Sequence, residues 1–154
     1  VYGPWGRPDM SPMIFTKAIF AEEQIKVFNN GDMSRSFTYI QDIIEIILKL
    51  INKPALKDDS FDKKNPNAST SWCRHKIFNL GNEKPINLMD FINLLELEIG
   101  KKAIRKYEKI QPGDVQHTAA DCSALKDWIG TIPQTSIEDG IKSFIRWYKD
   151  FYNH

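Results

Sequence analysis

The sequence predicts an α+β fold, and two observations carry that expectation. Apolar residues recur at helical spacing through residues 12–23, 40–51, 88–99 and 137–148, while the candidate strands are short and far apart. No G-x-G-x-x-G follows any of those strands, so the chain contains no dinucleotide-binding fingerprint of a complete doubly wound sheet.

Val1-Tyr2 runs straight into Gly3-Pro4, as a strand end does on entering a turn, and no initiator Met precedes it. The natural chain is therefore expected to continue upstream. Residues 1–12 should be loop, with Pro12 able to sit in a first helical turn. Met13, Thr16, Ile19 and Phe20 then make a helix closed by Glu22-Glu23, and Ile25 to Phe28 a short strand. Asn29-Asn30-Gly31-Asp32 is a turn by composition, and Phe37 to Ile40 alternates again as a strand. From there the period changes, and Ile40, Ile43, Ile44, Ile47, Leu48 and Ile51 form one helix face. Asp42 lies in its first turn, where the dipole favours a carboxylate.

Residues 53–75 lose periodicity and gather Lys, Asp, Ser, Asn and Pro, which reads as a long, mobile surface loop. Lys76 to Leu80 is a further strand, stopped by Gly81-Asn82. Asn87 can cap a helix over Leu88–Ile99 that ends at Gly100. A strand at Ala103 to Tyr107, a Gln111-Pro112-Gly113-Asp114 loop and a short helix between Asp121 and Gly130 follow. Thr135-Ser136-Ile137-Glu138 reads as a capping box opening a last helix, with Ile137, Ile141, Phe144, Ile145 and Tyr148 on its buried side.

Composition bounds the chemistry. A net charge of +1 gives no reason to expect nucleic acid, and no apolar run approaches a membrane span. Cys73 and Cys122 lack any paired spacing for a disulfide framework or a metal, and reduced thiols suit a cytoplasmic setting. Neither a G-x-S-x-G elbow nor a Y-x-x-x-K pair occurs, so no catalytic residue is assigned within the chain. Arg7, between Gly6 and Pro8, is either an anion clamp or an exposed Arg paired with Asp9. Arg35 follows a Gly-containing turn into a strand, where a guanidinium can meet a phosphate. Phe28 could stack on a base or simply fill a core, and Asp114 could accept sugar hydroxyls or bind its own backbone.

Seven stretches taken together resemble a family. V-Y-G-P-W-G-R-P-D-M (1–10), F-T-K-A-I (15–19), N-N-G-D-M-S-R (29–35) and F-T-Y-I (37–40) are followed by F-N-L-G-N (78–82) and Q-P-G-D-V (111–115). The last is I-G…P-Q-T-S…G…W-Y (129–148). In this order they resemble the C-terminal part of the extended short-chain dehydrogenase/reductases, most closely UDP-glucuronate 4-epimerases. Only residues 53–75 lie outside the likeness.

The resemblance implies a smaller substrate-binding part of a Rossmann-like α/β enzyme, whose N-terminal half would hold NAD and the catalytic Tyr and Lys. It implies a UDP-sugar as partner, a homodimer for the full-length enzyme, and transient oxidation of the sugar at C4. The backbone at Lys26 to Phe28 would meet the uracil, with Phe28 packing on it, while Arg35 would hold the diphosphate and Asp114 the ribose. Arg7 would lie near the phosphates or the glucuronate carboxylate, and Asp9 and Met10 along the nucleotide. A nucleotide-sugar dehydratase or decarboxylase, or a non-catalytic binding module, are the alternatives. The chain by itself is expected to be inactive and to self-associate. Ser36 replaces the acid of the family's usual R-D-F, Gln41 an acid or His, and Gln111 an Arg found in some members.

Overall fold

The computed structural model describes residues 1–154. Three helices pack over a small parallel sheet: α1 (Ser11–Phe20), α3 (Leu88–Ile99) and α5 (Ile137–Tyr152). The sheet pairs β1 (Gln24–Phe28) with β4 (Ile104–Glu108), in register from Gln24 opposite Ile104 to Phe28 opposite Glu108. Alternation along β1 turns Ile25 and Val27 inward, onto Phe91, Ile92 and Leu95 of α3 and Ile141 and Phe144 of α5. Burying side chains of this size contributes about 1.5–3 kcal/mol each, so this cluster holds the fold.

A second, antiparallel pair sets β2 (Ser34–Arg35) against β3 (Ile86–Asn87), with Ser34 opposite Asn87 and Arg35 opposite Ile86. Two further helices, α2 (Ile40–Asn52) and α4 (Ser123–Ile129), lie outside the main stack. The ends of α3 follow the sequence reading: the Asn87 side chain accepts from the Met89 N–H, and Gly100 closes the helix at φ 82°. Within α3, Glu96 is buried and accepts from Arg105 (2.6 Å), Lys102 (2.7 Å) and the Ala103 N–H (3.1 Å). Burial alone would push this carboxyl up, but those donors outweigh it and hold it below its ordinary value.

Several expectations need correction. The first helix stops at Phe20, because the chain turns back through Ala21 and Glu22, and Glu22 takes a positive φ of 57°. Phe37 to Ile40 is not a strand. It makes one parallel bridge, in which Tyr2 N–H donates to Thr38 O and Ile40 N–H to Tyr2 O, both at 2.9 Å, and Ile40 already begins α2. Lys76 to Leu80 likewise makes only a bridge between Lys76 and Thr70. Both have strand-forming sequences, but a strand exists only where a neighbour takes its backbone bonds, and no neighbour runs alongside here. The capping box falls one residue later than read. Ser136 accepts from the Asp139 N–H (3.1 Å), because Thr135 is engaged by Asp42 through its N–H (2.9 Å) and hydroxyl (2.6 Å).

Residues 53–75 contain no helix or strand, but Asp58 gathers Ser60 N–H, the Ser60 hydroxyl and the Thr70 hydroxyl within 3.0 Å. No helix is long and apolar enough to cross a membrane.

Candidate functional site

Beyond Phe28 the chain turns through three consecutive positive φ values, Asn29 (49°), Asn30 (50°) and Gly31 (85°). At position 31 the positive φ strains any side chain, and a Cβ there would also have to displace the Met89 side chain, whose sulfur would lie 2.5 Å away. This turn brings β2 back toward β1, so that Lys26, Phe28 and Arg35 line one cavity of about 140 Å³. Ser11 and Phe15 of α1, Met33, Phe37 and Leu88 complete it. Phe37 is fixed by stacking on the buried Phe91, with centroids 4.2 Å apart and planes 6° from parallel. One wall is therefore rigid and flat.

Arg35 is half-buried and held on several sides. Its Nη1 donates to the carbonyls of Ser34 (2.9 Å) and Gln116 (3.0 Å), and its Nη2 lies 3.7 Å from Asp114 Oδ1. Thus residues 79 positions apart in the chain, Arg35 and Asp114, share one edge of the site. A cationic fork beside an apolar, aromatic hollow can take an anion joined to a flat ring.

Of the seven sequence candidates, four come together: Lys26, Phe28 and Arg35 at the cavity, with Asp114 through its pair with Arg35. Arg7, Asp9 and Met10 group separately on an exposed turn before α1. There Arg7 lies 3.4 Å from Asp9 and donates to Met10 Sδ at 3.2 Å, and none of the three lines the cavity. Ser11, Phe15, Met33, Phe37, Leu88 and Gln116 were not singled out from sequence. For Ser11 and Phe15 a signal existed, since residues four apart on one helix share a face; for Gln116 there was none.

A larger hollow of about 700 Å³ lies between α3 and the start of α5. Its cations are already paired, Lys102 with Glu96 and Lys101 with Glu22, and the remaining charges are the carboxylates Asp90 and Glu138. It offers an anion no cationic edge comparable to Arg35.

The fold is that of a part of the extended short-chain dehydrogenase/reductases. A structure of UDP-glucuronic acid 4-epimerase from Bacillus cereus, in complex with UDP-glucuronic acid and NAD, superposes with a TM-score of 0.78 at 28% identity. The match covers 98% of this chain and 43% of that one. Protein CapI of Staphylococcus aureus is 43% identical over 152 residues, 99% of this chain and 46% of that protein. A probable UDP-glucuronate 4-epimerase of Rhizobium meliloti is 36% identical over 155 residues, 99% of this chain and 45% of its own length. The profile of the NAD dependent epimerase/dehydratase family matches residues 1–81, and the chain belongs to that family. It spans less than half the length of these relatives.

Proposed function

We propose that this chain is the substrate-gripping part of an NAD-dependent UDP-sugar epimerase acting on UDP-glucuronate and UDP-galacturonate. The observation that carries the reading is the Arg35–Asp114 edge beside the Lys26–Phe28 hollow, because a nucleoside diphosphate needs those partners in that order. The hollow takes the base, the Asp114 carboxylate accepts the ribose hydroxyl hydrogens, and the Arg35 guanidinium takes the diphosphate in charge-assisted bonds. Such contacts anchor the nucleotide and leave the sugar free to present either face, as inversion at one carbon requires.

The residues present do not fit NAD. The parallel pair β1–β4 is followed by no glycine-rich turn opening a helix, which is the feature that takes a dinucleotide pyrophosphate. In this reading a further part of the enzyme supplies the cofactor site and the proton-transfer groups, and the 154 residues alone are inactive. The homodimer of the whole enzyme and a cytoplasmic setting belong to the same reading.

Titration with UDP and with UDP-glucuronate tests it, with Arg35→Ala as control. Losing the charge-assisted contacts should weaken binding by about tenfold or more. Equal affinity in both proteins removes Arg35 from the site.

A further inference from the structure

Residues 114–118 form a strap that is fastened alongside β2 almost wholly by polar bonds. Ser34 N–H donates to Gln116 O (3.0 Å) and Thr118 N–H to Ser34 O (3.3 Å). Ser34 Oγ lies 2.9 Å from His117 Nδ1, the Ser36 hydroxyl donates to Thr118 O (3.2 Å), and Gln116 Nε2 donates to Asp32 Oδ2 (2.7 Å). No apolar side chain seats the strap, since Val115 is exposed. Its position, and with it that of Asp114, is therefore set by these clasps. They are also arranged in a telling way: Ser34 and Ser36 flank Arg35, while His117 and Thr118 follow Asp114 by three and four residues.

We propose that His117 and Ser36 are positioning residues for the nucleotide site. They fix the strap against β2 so that the Asp114 carboxylate and the Arg35 guanidinium reach one bound nucleotide at a set separation. This rests on the nucleotide reading above. Ser36 has a task of its own. Its hydroxyl closes the end of the strap with a neutral bond, placing no second carboxylate beside Arg35 to compete with a phosphate.

The contributions differ by ligand. Asp114 serves the ribose and moves with the strap, whereas Arg35 sits on β2 and, when the strap loosens, gives up its bond to Gln116 O but keeps the one to Ser34 O. Cutting a clasp should therefore penalise UDP and uridine more than inorganic pyrophosphate. Since both clasps are exposed, the thermal midpoint should hardly move.

The experiment is calorimetric titration of the protein, at its natural length, with UDP, uridine and inorganic pyrophosphate. His117→Ala and Ser36→Ala are compared with His117→Asn and Ser36→Thr, and melting is followed for each. His117→Ala is expected to lower UDP and uridine affinity about five- to tenfold and pyrophosphate affinity by less than about twofold. His117→Asn, which keeps a polar atom near the Nδ1 position, should restore most of the loss, and Ser36→Thr likewise. Unchanged UDP affinity in both alanine variants overturns the inference alone. So does an equal loss for all three ligands accompanied by a lower midpoint, since that is general destabilisation. Failure of the unsubstituted protein to bind UDP overturns the nucleotide reading and the inference with it.

Discussion

Helices α2 and α5 have the same kind of sequence and opposite surroundings. Both place apolar residues at i, i+3, i+4 and i+7 with polar residues opposite. In α5 that stripe is buried: Ile137, Ile141, Phe144, Ile145 and Tyr148 belong to the core cluster, with α5 packed against α3. In α2 only Asp42 and Ile46 are covered, and Ile44, Ile47, Leu48 and Ile51 stand 42%, 46%, 55% and 68% exposed. Amphipathic period decides that a helix forms and which face is apolar. It does not decide what, if anything, covers that face. Four adjacent exposed aliphatic residues form the sort of patch that marks an interaction surface.

Substitutions can break or sharpen that contrast. The largest effect belongs to the covered helix. Phe144→Ala should cost about 3–5 kcal/mol in urea unfolding, whereas Ile47→Ala on α2 should cost well under about 1 kcal/mol. Comparable losses at both positions would mean that α2 is covered in solution.

Next comes the buried carboxylate on α3. Glu96→Gln should cost roughly 2 kcal/mol near neutral pH, by removing the charge from bonds to Arg105 and Lys102. The folded carboxyl titrates below its ordinary 4.5, so its contribution is complete above that value and is lost as pH falls through the lower folded one. Acid titration of both proteins should show their stabilities converging there. A constant gap down to strong acid would refute the charge assignment.

Smaller still is Tyr2→Phe. The Tyr2 hydroxyl is buried against Gly140 of α5 without a hydrogen-bond partner, and burial pushes its pKa up. Removing it should be neutral or stabilising by up to about 1 kcal/mol in a thermal melt. A clear loss would reveal a partner for that oxygen. The least effect on stability, within about 0.5 kcal/mol, is expected for Ile47→Lys on α2. That change should nonetheless shift sedimentation of the 154-residue chain toward monomer, if the stripe drives its association. No shift would clear α2 of that role.

The same contrast explains what was legible in the sequence. Helices α1, α3 and α5 could be read because their signals are local: Pro12, the Asn87 cap, Gly100 and an apolar period. The site was half legible. Lys26, Phe28 and Arg35 lie within ten residues around a recognisable turn, and Asp114 stood out in its Pro-Gly-Asp loop before the family likeness gave it the ribose. The strap bonds of Gln116, His117 and Thr118 cross more than eighty positions, and neither composition nor period carries such information. The strands read at 37–40 and 76–80 failed for a related reason, since a strand depends on a neighbour that its own residues do not specify. Thr135 was misread as a cap because its true partner, Asp42, lies ninety-three residues away.

Residues 1–10 look dispensable on paper, a run of Gly and Pro ahead of the first helix. Yet Tyr2 is only 3% exposed, spans the backbone between Thr38 and Ile40, and fills the notch left by Gly140, while Trp5 lies over Trp147 and Phe151. This opening stretch is a keystone laid across the start of α2 and the length of α5. A truncation beginning at Ser11 would trim no loose tail: it would open a ring-sized hole beneath the last helix and release the backbone that leads out of β2. Trimming for crystallisation or expression should therefore begin inside residues 53–75, where no helix or strand would be cut.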